Sequence, residues 1–473
     1  MTSSLSSTYL SASSVNSPTI QSAGVGSGLD VNSIVSQLVS AAQTPQQTII
    51  TNQQNATNTK ISALGSLSSL LGTLQSSISS LTSSTTGVTQ LTAQSGNTSS
   101  FTATASGNAV PASYNVQVMA LAQASKIASA DYTSSSSTVG DGTVTIGVGS
   151  NSFQVTLASG NDSLASLVSA INNAPDNKGV GASLITDSGG VRLMLTAQQT
   201  GNAGALTLSS ADSNGASFMS TSVVQPAKQA HIQVDGFDYY GDSNTVSDAI
   251  SGVTLSLQAT STTASPLTLS YNQQAAASAV QAFVTAYNAV AQNISTQAGY
   301  NSTTQTAGPL LANPLVQSLT RQLGSIVGSA YTSNGGSYSV LSQVGISLNS
   351  DGTLSVDSTK LNKALSADPT SVQKLFASSG GVGTAMTKAL NGFLGVSGST
   401  GSIAAASNNL QQTLTNLGQQ QTALAARMKL YQSQLYAQYS ALDTLMSSMK
   451  STSTFLTQQF NAMNGTSSSS SSG

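Results

Sequence analysis

The chain has 473 residues, enough for several domains, yet only 6% are charged, against about a quarter in an ordinary globular protein. All fifteen acidic residues are Asp, the net charge is −2 and cysteine is absent. These features exclude a basic field for nucleic acid or acidic lipid, disulfides, thiolate catalysis and cysteine-based metal sites. No apolar run reaches the ~18 residues of a membrane span, so neither nucleic acid nor membrane is an expected partner.

Residues 1–23 lack basic residues and a continuous apolar stretch, and read as a disordered Ser/Thr leader rather than a signal peptide. Residues 465–473, rich in Ser, read as a flexible tail. "GVGSGLD", Gly24 to Asp30, alternates glycine with small residues, as phosphate-cradling loops do. No strand precedes it, the spacing is wrong and no Lys follows, so a turn is the better reading, with Asp30 capping a helix that starts at Val31.

Residues 31–81 read as helix. Leu64, Leu67, Leu71, Leu74, Ile78 and Leu81 recur at 3,4 spacing, the pattern of a coiled-coil seam. Pro45 is expected to kink or interrupt the helix ahead of that seam. Residues 91–271 switch to period 2. "SYNVQVM", "TVTIGV", "SFQVTL", "VRLMLT", "HIQVD", "VTLSLQ" and "LTLSY" are strands between Gly, Asn, Asp and Ser clusters. Two short helices are expected among them, "SLASLVSAIN" and "TVSDAI", which suggests two small α+β units of related build.

Residues 274–394 return to helix, with one apolar stripe of Val280, Phe283, Val284, Tyr287, Val290 and Ile294. Asn313-Pro314 and Asp368-Pro369 are N-cap and first-turn pairs. "VGISLNSDGTLSVD" between them predicts a hairpin turned at Asp351-Gly352.

Residues 403–463 carry the longest pattern. One heptad position holds Leu414, Gln421, Met428, Leu435, Leu442, Met449, Leu456 and Met463. Its partner holds Leu410, Leu417, Leu424, Tyr431, Gln438, Leu445, Thr452 and Gln459, so the seam weakens toward the C-terminus. A continuous helix here would be about 90 Å long and could not cover its own stripe. The 31–81 helix is the expected partner, which makes the β region an insertion between two ends that meet. The flanking positions are nearly free of charge, so register must come from shape and polar contacts.

Chemical sites are sparse. His231, the single histidine, would need Asp235 or Asp238 as metal co-ligands. An unremarkable strand histidine beside an Asp-Gly turn is the simpler reading. "NSDGTLSVD" lacks the terminal Glu and Asp spacing of a calcium loop. No Ser-His-Asp arrangement, nucleophile elbow or paired carboxylates can be found, so no catalytic, cofactor or metal residue is assigned and no enzyme is expected.

Five segments in order carry a family resemblance. They are "GVGSGLDVNSIVSQLVSAAQTPQQ", "YNVQVMALAQASKIAS", "AKQAHIQVDGFDYYGDSNTVSDAISGVTLSL", "VGISLNSDGTLSVDSTKLNKALSADPTSVQKLF" and "RMKLYQSQLYAQYSALDTLMSSMKSTSTFLTQQFNAM". Spanning about 24–463, they resemble the flagellar hook-associated protein 2 family, the filament-capping proteins of bacterial flagella. The absence of Glu departs from the family, and Arg427 with Tyr431 is what survives of its Arg–aromatic pair.

The resemblance implies an α+β multidomain fold: discontinuous terminal coiled-coil helices and a helical leg, with inserted β-rich head domains. Its expected layout is a terminal coiled coil of 24–50 with 430–464 and a leg of 51–90 with 274–429. A β-rich head of 91–130 with 227–273 and an inserted α+β head of 131–226 complete it. It also implies a ring-like homo-oligomer, secreted by the flagellar export apparatus to the distal filament tip, that retains flagellin and promotes its folding and polymerisation. Implied partners are flagellin, hook–filament junction proteins and a cytoplasmic export chaperone at the C-terminal helix. The implied assembly residues are the six of the first seam with Leu410, Leu414, Leu417, Leu424, Met428, Tyr431, Leu435, Leu442, Met449 and Leu456. The alternative is a tip-exposed adhesin that binds host glycans through the β head.

Overall fold

The computed structural model describes residues 30–396 and 398–465. The leader, the glycine turn before Asp30 and the tail beyond 465 lie outside the described residues. Two compact units divide the chain. One takes in residues up to Leu71, Asn293–Thr320 and those from Leu390 onward; the other is Gly72–Gln292 with Arg321–Ala389.

The first element is a helix, α1 (Val31–Thr82), of 52 residues. It overturns an interruption at Pro45, which lies inside a continuous helix. An internal proline forfeits one backbone hydrogen bond and costs about 3 kcal/mol. Apolar packing against the C-terminal helix on both sides of Pro45 offsets that cost.

Fifteen strands and one helix follow, all in the second unit. They are β1 (Leu91–Ser95), β2 (Phe101–Ala105), β3 (Ala112–Ala120), β4 (Lys126–Ser129), β5 (Gly142–Val148), β6 (Asn151–Leu157), α2 (Leu164–Asn172), β7 (Val180–Asp187), β8 (Gly190–Ala197), β9 (Leu206–Ala211), β10 (Thr221–Gln225), β11 (Ala230–Val234), β12 (Phe237–Gly241), β13 (Thr245–Ile250), β14 (Val253–Leu257) and β15 (Ser265–Tyr271). A five-stranded sheet, β1-β15-β3-β11-β12, and a three-stranded sheet, β13-β14-β2, enclose a core of Phe101, Val116, Val118, Ile232, Leu255 and Leu267. A second lobe is inserted between β3 and β11. Its sheets, β10-β4-β8-β7 and β6-β5-β9, close with α2 over Val144, Ile146, Leu164, Leu167, Ile171 and Leu195.

The helix expected at "SLASLVSAIN" forms as α2, where Ser163 accepts a hydrogen bond from Ser166 N at 3.1 Å. The helix expected at "TVSDAI" does not: that segment is strand β13. Val246 and Ile250, four apart, are both buried, which imitates one helix face. Residues four apart share one face of a strand as well, and the two-residue register shift between them keeps both on the core side of the sheet. The two lobes therefore do not share a build.

The remaining elements are α3 (Gln273–Ala298), β16 (Tyr300–Asn301), β17 (Thr306–Ala307), α4 (Pro314–Gly328), β18 (Ile346–Leu348), β19 (Leu354–Val356), α5 (Ser358–Ala367), α6 (Pro369–Ala377), α7 (Val382–Leu394), β20 (Gly395–Val396), β21 (Ser399–Thr400) and α8 (Ser402–Gly465). Phe283 of α3 meets Phe376 of α6 edge-on, with ring centroids 6.0 Å apart. The predicted caps form: Asn313 Oδ1 accepts from Leu315 N at 3.0 Å and Asp368 Oδ1 from Ser371 N at 2.9 Å. The hairpin at Asp351-Gly352 is β18–β19, with Gly352 at φ +82.

With so few charges, carboxamides hold the tertiary joints. Asn172 Nδ2 donates to Ala182 O at 2.8 Å while its Oδ1 accepts from Ala182 N at 2.9 Å. Asn244 grips Ala122 in the same way at 3.0 and 2.8 Å, and Asn288 grips Leu354 at 2.8 and 2.6 Å. Gln373 of α6 donates to Thr82 O at 2.9 Å and accepts from Val88 N at 3.1 Å, fixing the exit from α1. Each amide satisfies buried peptide groups that would otherwise cost ~1–3 kcal/mol.

The two β lobes are joined by a comparable device. Gln123 and Lys228, one on each connecting strand, exchange backbone hydrogen bonds of 2.8 and 3.1 Å. Asp242 Oδ1 accepts from Asn202 N at 2.7 Å and from Gln229 Nε2 at 3.1 Å. Gly201, at φ +68, passes so close that a Cβ there would lie 2.4 Å from Asp242 Cα.

Candidate assembly interface

The terminal helices α1 and α8 run antiparallel, because rising numbers on one face falling numbers on the other. Two apolar clusters join them. Ile50 packs with Leu417 and Leu424, backed by Met428. Nearer the free end, Val31 and Val35 pack with Leu435, backed by Val39, Tyr436 and Tyr439. Asp30 starts α1 as expected: its carboxylate accepts from Ser33 N at 3.0 Å.

The structure divides the predicted seam residues into four groups. Leu64, Leu67, Leu71, Leu74, Ile78 and Leu81 are all buried. Ile78 lies against α7, where a Cβ on Gly383 would come 3.4 Å from Ile78 Cγ2 and 2.7 Å from Thr82 Cγ2. Leu417, Leu424 and Leu435 are buried, and Leu410, Leu414 and Met428 are half-buried. Tyr431, Leu442, Met449 and Leu456 are 36%, 44%, 60% and 50% exposed, so α1 does not cover them.

The loss of cover has two physical causes. Beyond Met428 the positions on α8 that are not exposed are Gln432, Leu435, Tyr436, Tyr439, Asp443 and Ser447, and on α1 Val31, Val35, Val39, Gln43 and Gln47 form one such line. Steps of four replace the 3,4 alternation, so a strict heptad drifts off the contact line. The second cause is length. The apolar cluster at the start of α1 reaches Tyr439 on α8, and the helix continues well past it. Tyr436 and Tyr439 are contact residues that the heptad reading missed; their i, i+4 spacing to Gln432 and Leu435 was the available signal.

Past Tyr439, Leu442, Leu445, Met446, Met449, Leu456, Phe460 and Met463 form an exposed apolar stripe about 30 Å long. A groove of about 430 Å³ flanks the pair where Ile49, Ile50, Leu424 and Arg427 meet. Arg427 lies in that groove, four residues from the exposed Tyr431.

His231 lies elsewhere, on β11. Its Nε2 is 2.8 Å from Asp238 Oδ1, and its ring stacks on Tyr240 at 4.3 Å. Asp235 does not share its face. It sits in the turn at φ +48, and its carboxylate accepts from Asn115 N at 2.8 Å. Among the described residues no group of three His, Cys, Asp or Glu could hold a metal ion, and no helix is long and apolar enough to cross a membrane. Asp351, in the calcium-like segment, accepts from Thr353 N at 2.9 Å, as a hairpin turn requires.

Comparison with known proteins agrees with this architecture. Residues 27–125 match the model of the flagellar hook-associated protein 2 N-terminus, and residues 227–451 match that of its C-terminus. A flagellin hook IN motif matches residues 143–199, within the inserted lobe. The chain is 34% identical to flagellar hook-associated protein 2 of Escherichia coli strain K12, across 93% of this chain and 98% of that one. It is 31% identical to the B-type protein of Pseudomonas aeruginosa, across 76% and 80%. The crystal structure of the D1-D2-D3 domains of the Escherichia coli flagellar cap protein FliD superposes with a TM-score of 0.64 at 30% identity, over 74% of this chain and 99% of that one. With two family models in order and a relative matched nearly end to end, the chain belongs to the flagellar hook-associated protein 2 family.

Proposed function

We propose that the chain works as a flagellar filament cap: a homo-oligomer at the distal filament tip that retains exported flagellin and promotes its folding and polymerisation. Family membership supports the cap role. The observation that carries the mechanism is the apolar stripe of α8 from Leu442 to Met463, which is exposed among the described residues. Exposed apolar area of that extent marks a surface that is buried on association. In this reading the terminal helices, 24–50 with 430–464, anchor the cap to the last filament subunits. Residues 51–90 with 274–429 form the leg. The β lobe, 91–130 with 227–273, and the inserted lobe, 131–226, form the plate that holds flagellin back. Before assembly the same stripe is the site where a cytoplasmic export chaperone would sit.

Two variants test it. Met449→Asp leaves the isolated chain's melting unchanged, because Met449 is exposed. Leu435→Asp buries a carboxylate among apolar partners, at a cost of several kcal/mol, and opens the end of the α1–α8 pair. Both should spill flagellin into the medium and shorten filaments, whereas Ser433→Asp, on the exposed side of α8, should do neither. Filaments of normal length with Met449→Asp exported at the normal level would refute the anchoring role of the stripe.

A further inference from the structure

We propose that the hydrogen-bonded glutamines Gln54 and Gln421 are the specificity-determining pair that fixes the register of α1 on α8. Gln54 Nε2 donates to Gln421 Oε1 at 3.3 Å, and both side chains are half-buried. The pair is a polar layer within the apolar cluster of Ile50, Leu417 and Leu424.

The leucine lines of α8 do not by themselves define a register. On α8 apolar residues repeat every seven positions, Leu410, Leu417 and Leu424 on one line and Leu414, Met428 and Leu435 on the other. Along these two lines, sliding α8 by one heptad exchanges one apolar residue for another at every layer but that of Gln421. Charge cannot arbitrate: α1 has one charged residue, Lys60, and α8 has Arg427, Lys429, Asp443 and Lys450, most of the same sign. Thr57, also buried, bonds within its own helix to Gln53 O at 2.7 Å and gives no cross-helix information.

Gln421 interrupts the otherwise apolar line. A slip of seven residues that brings Met428 opposite Gln54 sets Gln421 opposite Ile61 and leaves both amides without partners in apolar layers, whereas the opposite slip sets Gln421 against Gln47 and strands Gln54 beside Leu414. An unpaired buried amide is costly, whereas the paired one is nearly neutral. One polar layer of this kind selects register at some expense in stability, as buried polar residues do in coiled coils. The slipped register should therefore be a minor species, suppressed about tenfold or more. The argument holds whether or not the chain caps a filament.

The absence of cysteine allows a direct test. Cysteines placed at exposed Gln53 and Ser433 in the full-length chain carry spin labels, and double electron–electron resonance reads their separation. The parent protein should give one narrow distance. Gln54→Leu with Gln421→Leu should keep or raise the melting temperature of the helix pair and add a population displaced by up to about 10 Å, one heptad of rise. Gln54→Leu alone, which strands Gln421, should add the same population and lower the melting temperature. A single unchanged distance in the double variant would overturn the proposal. So would several distances in the parent, or a featureless distribution in the double variant, which would make the glutamines a stability element instead.

Discussion

The β lobes and the terminal helix pair solve the same problem in opposite ways. The lobes close their apolar cores within one chain: Phe101, Val116, Val144 and Leu164 are wholly buried, each between layers of secondary structure. The helix pair joins two long stripes through two small clusters, then leaves the end of α8 uncovered. A sheet sandwich supplies two facing apolar surfaces, whereas two helices in contact cover only one stripe each. The lobes can therefore be stable alone, while the helix ends depend on what they meet.

Core truncation separates the regions most strongly. Phe101→Ala should destabilise the β lobe by about 3–5 kcal/mol, read by chemical denaturation. Leu445→Ala on the exposed stripe should stay within about 0.5 kcal/mol. A comparable loss from Leu445→Ala would mean that α8 has a partner within the monomer. Native-state hydrogen exchange should show the same contrast, with slow amides in β3 and β5 and fast ones beyond residue 440. Equal protection in both regions would remove the distinction.

A smaller effect probes the joint between the lobes. Gly201→Ala puts a side chain into a left-handed conformation and against Asp242, so a loss of about 1–3 kcal/mol is expected. Scattering from the fragment 91–271 should then report a wider range of lobe orientations. An unchanged scattering profile and stability would show that the joint is rigid without this contact.

Next come the carboxamide grips. Asn288→Ala strands Leu354 N and O and should cost about 1–3 kcal/mol. Because an amide carries no charge, that loss should be the same at low and high salt. A salt-dependent loss would point to an ionic contribution.

The smallest effect concerns pH. Hydrogen bonds from Ser371 and then Thr370 hold the Asp368 carboxyl down at about 2, below the usual carboxylate range. A depressed folded-state pKa contributes stability above the unfolded value near 3.8 that is lost as pH falls toward 2. Asp368→Asn should flatten that part of the acid-denaturation curve slightly, since Asp368 is only half-buried. An unchanged curve would remove Asp368 from the set of groups that govern acid unfolding.

The sequence by itself determined the class and order of the elements. Period-2 alternation marked β3, β5, β6, β8, β11, β14 and β15, because a half-buried sheet needs it. Asp30, Asn313 and Asp368 announced helix starts, because short polar side chains satisfy the free amides there. The 3,4 spacing from Leu64 to Leu81 identified a buried face, and five ordered segments identified the family. Tertiary structure alone decided which partner covers which face. Val246 and Ile250, four apart, share a face in a strand as well as in a helix, and only pairing with β14 selects the strand. Pro45 is tolerated because clusters on either side hold α1 to α8. Tyr431 and Leu442 share a heptad with Leu424 and Leu435, yet they are exposed. A periodic pattern states that a face must be covered, but the end of α1 and the drift of a straight helix decide where cover stops.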